Sequence, residues 1–403
     1  MARARARNLL ALLAGLLLAG GCSSPVAAQN RPVAAHPAPP AAVLIAPVRA
    51  PPPAVVGAAA AAPSAPVSRL WQFKRLYDVD YVDVRAIAER FDLKVSWVTA
   101  GRIMQLADAR GRIRLKFEVR SRDFLADGIR VFMGDSTVFN QGSLYVSRID
   151  VIKAIVPLLS PAEYAGRLPP PPHLIVLDAG HGGADPGTQN LALHLEEKNL
   201  TLDVVLRLKK LLEGRGYQVI LTRSGDNKLA PLQRPDLEER DEVANRAKAD
   251  LFLSVHFNHA VPAVTGTETY VMTPQFETSS GGAKDAVVDK AFPGNQQDFA
   301  NVVLGYHLHR SLLAGLNSVD RGLKRNRYMV LEFPDCPAAL VEAAYLSNNT
   351  DASRLATPEF RQRVAQALAD GIDAYSAALA ALHPPLPRPA EIHPAPASSR
   401  LHP

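Results

Sequence analysis

Cysteine is almost absent from this 403-residue sequence, which contains only Cys22 and Cys336. A disulfide framework and the cysteine-rich zinc or iron–sulfur sites each need several cysteines, so the sequence excludes them. Any bound metal ion would therefore be held by histidine and carboxylate side chains. Cys336 has no histidine or other base close to it in the sequence, and we expect it to be an ordinary buried thiol.

Long apolar runs and a strong charge imbalance are also missing. Beyond the first 22 residues, no stretch approaches the roughly 20 apolar residues of a membrane-spanning helix, which excludes a multipass membrane protein. The formal net charge is only +6, and this small surplus does not indicate nucleic-acid binding. With 47% apolar residues, the chain is also too hydrophobic to be wholly disordered.

The first 22 residues have the pattern of a bacterial lipoprotein signal peptide. Three arginines precede an apolar run and a cysteine, namely Arg3, Arg5, Arg7, residues 9–18 and Cys22. This pattern predicts cleavage before Cys22 and lipid modification of that residue, with ordinary cleavage near Ala28 as the alternative. Either way we expect the protein in the periplasm or cell envelope. Ser23, in place of a retention-type Asp, favours a lipid anchor in the outer membrane.

Proline-rich segments divide the remaining chain. Residues 23–68 are almost entirely Ala, Pro, Val and Gly and predict an extended linker. Residues 161–172 contain four consecutive prolines and predict a second linker, and residues 384–403 predict a disordered tail. These boundaries leave two folded parts, residues 69–160 and residues 173–383.

Residues 69–160 predict a small α+β module that binds the cell wall or a partner protein. A helical pattern is followed by short β-rich pieces and a second helix, and the segment carries 16 Lys and Arg against 11 Asp and Glu. That positive balance suits an anionic polymer. The runs YVDVRAIAERFDLKVSW and GSLYVSRIDVIKAI resemble the copper amine oxidase N-terminal-like domain. No clustered ligand set is present, so the resemblance does not imply copper.

Residues 173–383 predict a different architecture, because apolar strands alternate with longer helices. Predicted strands cover residues 174–177, 217–222, 251–256, 267–272 and 339–344, and predicted helices cover residues 200–215, 237–249, 298–316 and 358–381. Fully apolar strands between helices indicate a mostly parallel sheet covered on both faces. We therefore predict an α/β fold, with a three-layer α/β/α domain.

Candidate site residues follow the strands of this predicted sheet. His181 lies just past the first strand, His256 ends the strand at residues 251–256, and Glu342 lies in the strand at residues 339–344. Glu197 precedes the first long helix of this domain, with Glu196 as an adjacent alternative. Because the carboxyl ends of parallel strands meet at one edge of a sheet, we expect these side chains to converge.

These residue types suit amide hydrolysis. Two histidines and one carboxylate with an open fourth position form a known catalytic zinc set. Such a metal lowers the pKa of its water to about 7, and a second carboxylate can carry the proton to the leaving group. Among the other candidates, Arg234, Arg240 and Arg246 are expected in surface or structural ion pairs, with binding of a substrate carboxylate by one of them as the alternative. His307 and His309 are expected on a helix surface.

Residues 173–378 resemble the zinc-dependent N-acetylmuramoyl-L-alanine amidases of the type-3 catalytic family. Four blocks in order carry the resemblance: IVLDAGHGGADPG, EEKNLTLDVVLRLKKLLEGRGYQVILTR, ANRAKADLFLSVHFNHA and PAALVEAAYLSN. The resemblance implies that His181, Glu197 and His256 bind Zn2+ and that Glu342 is the catalytic carboxylate. It also implies hydrolysis, by a zinc-activated water, of the amide between N-acetylmuramic acid and the L-alanine of the peptidoglycan stem peptide.

The expected role is cell-wall remodelling or daughter-cell separation, with peptidoglycan as substrate and an activator protein as a further partner. Two alternatives stay open at this point: a zinc peptidase that cuts within the stem peptide, and a non-catalytic regulator that binds the wall. The connection at residues 273–298 is long for a strand-to-helix loop, and we interpret it as a lid or regulatory loop.

Overall fold

A computed structural model of the protein describes residues 71–281 and 289–384. The predicted signal peptide (residues 1–22), the predicted linker (residues 23–68) and nearly all of the predicted tail (residues 384–403) lie outside this range. Within the described ranges, no helix combines the length and apolar character needed to cross a membrane.

The described residues form seventeen strands and nine α-helices. The strands are β1 (Lys74–Leu76), β2 (Val79–Asp83), β3 (Lys94–Thr99), β4 (Ile103–Ala107), β5 (Ile113–Glu118), β6 (Asp123–Ala126), β7 (Ile129–Phe132), β8 (Val138–Asn140), β9 (Ser143–Ser147), β10 (Leu174–Ala179), β11 (Gln189–Asn190), β12 (Leu195–Glu196), β13 (Gln218–Leu221), β14 (Leu251–Asn258), β15 (Thr267–Met272), β16 (Asp320–Asn326) and β17 (Ala338–Tyr345). The α-helices are α1 (Val84–Arg90), α2 (Arg148–Asp150), α3 (Val156–Leu159), α4 (Glu197–Gly214), α5 (Gln233–Ala247), α6 (Asp298–Leu316), α7 (Met329–Glu332), α8 (Asn349–Leu355) and α9 (Pro358–Ala380).

The C-terminal half is built on six neighbouring strands in the order β13-β10-β14-β17-β15-β16. Four of the five pairings are parallel, and only β17 and β15 run antiparallel. The predicted α/β fold with a mostly parallel sheet is therefore confirmed. Because β10, β14 and β17 are parallel neighbours, their carboxyl ends lie side by side, which is the edge where the candidate residues were expected.

Helices cover both faces of this sheet, as alternating residues of the strands show. Leu253 of β14 packs into a large core with residues of α4, α6 and α9, whereas its neighbour Phe252 packs with residues of α5 and α7. Both side chains are fully buried. Strands buried on both faces explain why the sequence is continuously apolar there instead of alternating.

The strands of residues 71–160 extend the same sheet. The meander β7-β6-β5-β4-β3 continues from β16, and one residue pair, Leu323 with Val131, forms the parallel junction. Side chains reinforce this seam, because the Asp320 carboxylate accepts a hydrogen bond from the Arg130 amide at 2.9 Å. The hydroxyl of Tyr306 on α6 also donates to the Ala126 carbonyl at 3.3 Å. The remaining strands, β1-β2-β9-β8, form a separate four-stranded sheet.

The segment between these two parts packs against the C-terminal half. Residues 161–172 begin with the 3-10 helix Pro161–Tyr164, and the buried Tyr164 ring stacks on Phe299 with 4.2 Å between ring centroids. Leu168 is also buried in the large core. Although this segment is rich in proline, tertiary contacts therefore hold it in place.

His309 corrects one sequence expectation. It was predicted on a helix surface with His307, but its side chain is fully buried on α6. Its Nδ1 lies 3.1 Å from the Thr269 hydroxyl and its Nε2 lies 3.0 Å from the Asp320 carboxylate. The reason is that α6 is covered by the sheet on one side and by α9 on another, so two helical faces are buried.

Cys336 is a buried free thiol, as predicted.

Asp241 is an acidic residue on the apolar side of α5. It is only 1% exposed, and neither carboxylate oxygen has a hydrogen-bond partner among the described residues. Burial, together with repulsion from Asp178 and Glu332, raises the pKa of Asp241 to about 9. The side chain is therefore neutral in the folded protein at pH 7, whereas it is ionised in the unfolded chain.

This difference in pKa predicts a pH-dependent loss of stability. Between about pH 4 and pH 9 the folded state binds one proton more than the unfolded state, so the free energy of unfolding falls as the pH rises. The Asp241→Asn variant lacks this contribution and is expected to be more stable than the parent by up to about 5 kcal/mol at pH 8 and nearly equal to it at pH 4. Urea unfolding at both pH values measures the difference. Glu238→Gln, on the exposed side of the same helix, is the control, and an equal gain at both pH values would contradict the assignment.

Candidate metal centre and active site

Three neighbouring elements bring the predicted residues together at the carboxyl edge of the sheet. His181 follows β10 by two residues, and His256 of β14 lies directly beside Glu342 of β17 in the strand register. Glu197 is the first residue of α4 and faces the same edge. Glu196, the alternative to Glu197, lies in the short strand β12, where its carboxylate accepts a hydrogen bond from Gln189.

The Glu197 carboxylate lies between the two imidazoles. Its Oε1 is 3.2 Å from His181 Nε2 and 3.0 Å from His256 Nδ1, and the two rings meet edge to face with centroids 4.9 Å apart. Backbone amides of Thr188 and Phe257 donate to the two carboxylate oxygens at 2.8 and 3.0 Å. Burial alone would raise the pKa of Glu197, but the hydrogen bonds from both histidines lower it well below its usual range.

Two glycines leave the space that the imidazoles occupy. A Cβ atom on Gly180 would lie 2.2 Å from His256 Cε1, and a Cβ atom on Gly187 would lie 2.6 Å from His181 Cδ2. Gly187 also has a φ of +64°, which side-chain-bearing residues rarely adopt. The glycine-rich sequence after β10 is therefore required by close packing of backbone against the two histidine side chains.

His181 is oriented by a second carboxylate. Its Nδ1 lies 3.0 Å from Asp185 Oδ2, and the other Asp185 oxygen accepts a hydrogen bond from the Gly187 amide at 3.1 Å. Burial would lower the pKa of His181, but its hydrogen bonds with Glu197 and Asp185 raise it. Such a carboxylate fixes the tautomer of a histidine and leaves Nε2 directed at the centre of the site.

A buried ion pair supports the loop that carries His181. Arg240 donates to the Asp178 carboxylate at 2.7 Å, to the Asp236 carboxylate at 3.0 Å and to the His181 carbonyl at 2.8 Å. His181 has a φ of +63°, so this hydrogen bond stabilises an otherwise unfavourable backbone conformation. Of the three predicted arginines, Arg240 thus forms a structural ion pair. Arg234 and Arg246 form exposed ion pairs on the helix surface.

Glu342 is half-buried beside this group, and one of its oxygens, Oε2, is fully buried and has no hydrogen-bond partner among the described residues. Burial, followed by repulsion from Glu197 and Glu268, raises the pKa of the Glu342 carboxyl well above its usual range. A buried carboxylate oxygen without a partner is costly unless a ligand, water or cation meets it.

Glu268 was missed by sequence reasoning, although it lies opposite Glu342 in the antiparallel register of β15 and β17. Burial alone would raise its pKa, but hydrogen bonds from Lys324, Tyr270 and Tyr345 lower it. The two tyrosine hydroxyls donate at 2.6 Å each. Glu268 therefore holds a stable negative charge next to Glu342. No local pattern marks it, because its partners come from three separate strands.

The group opens into a cleft of about 430 Å³. His181, Glu197, His256 and Glu342 all line it. Further lining residues are Asn258 and His259, just after His256, and Tyr328, Met329 and Val330 around the start of α7. The site is therefore accessible to a molecule larger than water. In the sequence, only Glu332 near this stretch was considered as a residue close to the substrate, and the strand β16 that leads to Tyr328 was not predicted.

The three side chains form a candidate metal site. One ligand atom from each of His181, Glu197 and His256 lies within 4.8 Å of the others, and this is the one such group of three or more found in the described ranges. The donor set is that of catalytic metal sites with an open position, and the unpartnered Glu342 oxygen adjoins it. Fold and site together define the class of a metal-dependent hydrolase with a carboxylate beside the metal centre.

Comparison with known proteins identifies the family. The family profile described as N-acetylmuramoyl-L-alanine amidase matches residues 175–374. The uncharacterized protein YqiI of Bacillus subtilis is 31% identical over 202 residues, which are 50% of this chain and 84% of YqiI. The amidase AmiC of Neisseria meningitidis is 31% identical over 233 residues, covering 52% of this chain and 53% of AmiC.

Among solved structures, the catalytic domain of the amidase CwlV from Bacillus (Paenibacillus) polymyxa is 30% identical, covers 50% of this chain and 97% of that domain, and has a TM-score of 0.41. The similarity to YqiI over most of its length and the matching family profile show that the chain belongs to the N-acetylmuramoyl-L-alanine amidase family. The predicted enzyme class, an N-acetylmuramoyl-L-alanine amidase, is thereby confirmed.

The close contact at Gly180 predicts a variant that affects metal binding more than folding. In Gly180→Ala the new methyl group displaces the His256 ring, so we expect the affinity for a divalent metal to fall roughly 10- to 100-fold, as for other changes that misorient a ligand. Competition with a chromogenic chelator measures this affinity. Gly214→Ala, where nothing lies within 4 Å of the added Cβ, is the matched control. Equal metal affinities for the two variants would refute the proposed constraint.

Proposed function

We propose that the protein is a zinc-dependent amidase that hydrolyses the amide between N-acetylmuramic acid and the first L-alanine of the stem peptide. The observation that carries the proposal is the arrangement at one sheet edge: two imidazoles around the Glu197 carboxylate, with the buried, unpartnered carboxylate oxygen of Glu342 beside them. Family membership supports the choice of bond.

In this proposal His181, Glu197 and His256 hold the zinc ion. Zinc bound there supplies Lewis-acid chemistry, which lowers the pKa of a water molecule and polarises a carbonyl group. Asp185 keeps Nε2 of His181 directed at the centre of the site, and Arg240 stabilises the backbone that carries His181. Neither Asp185 nor Arg240 needs to touch the substrate.

Glu342 is the proposed proton carrier. Its carboxylate accepts the proton that the attacking water loses and delivers it to the nitrogen of the departing L-alanine, so that the lactyl carbonyl becomes a carboxylic acid and the stem peptide leaves with a free amine. Burial, followed by repulsion from Glu197 and Glu268, raises the pKa of Glu342 well above its usual range, which favours uptake of a proton by this carboxylate.

We further propose an envelope location for the whole protein. The N-terminal pattern supports a lipid anchor at Cys22 in the outer membrane, which would tether the enzyme beside its substrate. The module at residues 69–160, which resembles the copper amine oxidase N-terminal-like domain, is proposed to bind the wall or a partner through its positive charge. A separate activator protein stays a prediction.

The Glu342→Gln variant tests the proposed role of Glu342 as the proton carrier. The variant keeps the volume of the side chain but accepts no proton, so we expect kcat to fall roughly 10²- to 10⁴-fold while bound zinc is retained. Release of free stem peptides from purified peptidoglycan measures activity, and elemental analysis measures zinc.

The Glu197→Gln variant is expected to lose zinc, whereas the Glu196→Gln variant, at the neighbouring position, is expected to keep both zinc and activity.

Product analysis separates the amidase from the other two functions that the sequence left open. An amidase leaves unsubstituted lactyl groups on muramic acid, whereas cleavage within the stem peptide would identify a zinc peptidase. A parent protein that binds peptidoglycan and zinc but releases nothing would instead favour the non-catalytic wall-binding regulator.

A further inference from the structure

One wall of the cleft depends on a short stretch that has little regular structure of its own. Tyr328, Met329 and Val330 line the cleft and follow directly after the end of β16. The helix they begin, α7, has only four residues. A single helical turn is marginal in isolation, so the position of this wall must come from tertiary contacts.

Val330 and Tyr328 pack with residues of α5 and β15, and the preceding residues 325–327 are held by residues 273–280, the first part of the connection after β15. The Arg327 guanidinium donates to the carbonyls of Pro274 and Glu277 at 3.0 Å each. Arg325 and Ser280 are joined by two hydrogen bonds of 2.9 Å, from the Arg325 amide to the Ser280 hydroxyl and from the Ser280 amide to the Arg325 carbonyl. The end of β16 and the residue before Tyr328 are therefore fixed by this segment.

Residues 273–280 are in turn held by residues from the N-terminal module. The module's Arg122 donates from one nitrogen, Nη2, to the carbonyls of Thr278 and Ser279 at 3.1 Å each and to the carbonyl of Gly134 at 2.9 Å. Gly134 belongs to the module, so the guanidinium links backbone from both parts of the chain. Residues 273–280 form neither helix nor strand, and such side-chain links decide where they lie.

A buried ion-pair cluster adds a second link. Arg325 of β16 donates from Nη1 to Asp150 of the module at 2.8 Å and to Glu277. All three side chains are at most 3% exposed. Asp150 also accepts a hydrogen bond from the Gly134 amide at 3.0 Å, and a Cβ atom on Gly134 would lie 2.8 Å from Glu277 Cγ. The module backbone thus packs directly against Glu277.

We propose that Arg122 and Asp150 of the N-terminal module are positioning residues for the substrate cleft. They fix residues 277–279, these residues fix Arg327, and Arg327 fixes the wall at Tyr328–Val330. The module is then a structural part of the substrate-binding site, in addition to any binding of wall or partner. The effect expected on KM rests on the proposed amidase function, whereas the effect expected on the structure of the cleft wall does not.

Arg122→Met in the full chain tests the proposal, because methionine keeps an unbranched apolar stem and removes every hydrogen-bond donor. Loss of the links to residues 278 and 279 is expected to raise KM for a soluble muropeptide about 5- to 20-fold, with kcat within about twofold of the parent, since no group at the metal centre is touched. Arg122→Lys keeps a donor and is expected to restore part of the loss.

Hydrogen exchange provides a readout that does not depend on activity. In Arg122→Met the amides of residues 277–281 and 326–331 are expected to exchange faster, while those of residues 175–179 and 251–257 exchange as in the parent. Arg75→Met is the matched control, because Arg75 lies in the same module and forms only an exposed ion pair with Asp80. Neither KM nor exchange at residues 326–331 is expected to change in the control.

Several outcomes would overturn the proposal. Faster exchange at residues 277–281 with unchanged exchange at residues 326–331 would show that the segment does not control the cleft wall. An unchanged KM despite faster exchange at both places would show that the wall does not matter for substrate binding. Accelerated exchange throughout the protein would assign Arg122 to general stability. A parent without amidase activity would reject the proposed function, and the exchange data would still decide the structural link.

Discussion

The arrangement of the site depends on burying the Glu197 carboxylate between two imidazoles. A buried carboxylate is strongly disfavoured unless charged or donating groups surround it, and here two histidines and two backbone amides do so. The groups that surround Glu197 in turn need partners of their own. His181 needs Asp185 and a left-handed backbone, that backbone needs Arg240, and the buried guanidinium of Arg240 needs Asp178 and Asp236. A chain of paired charges therefore links the metal centre to α5.

The same need for surrounding donors explains why the carboxyl groups at this edge of the sheet differ in pKa. Glu197 and Glu268 have lowered pKa values because donors surround them, whereas Glu342, which is repelled by both, has a buried oxygen without a partner and a raised pKa. Three carboxylates close together cannot all be ionised at low cost. The protein resolves the conflict by fixing two of the charges and leaving the third group free to exchange protons, which is the property that the proposed mechanism uses.

Much of the fold and of the candidate site could be predicted from the sequence, because the patterns that indicate them lie within short segments. Apolar strands alternating with helices predicted the sheet, and strand-end histidines in glycine-rich or polar contexts pointed to His181 and His256. The strand β16 was missed, since Asp320–Asn326 contains four charged residues that are neutralised only by partners distant in the sequence. Glu268 and the buried His309 were missed for the same reason. Each acquires its role from contacts across strands and helices, and periodicity in one segment carries no information about them.

The junction between β7 and β16 has a mechanical consequence. A strand pair joined at one residue position offers almost no backbone ladder, so backbone hydrogen bonds contribute little to the cohesion between the two parts of the eleven-stranded sheet. Cohesion comes instead from the hydrophobic core that both parts share, from buried charges and from the packing of Tyr164 and Tyr306. The two parts therefore resist separation through side-chain packing, whereas β10, β14 and β17 around the candidate site are held together by backbone hydrogen bonds.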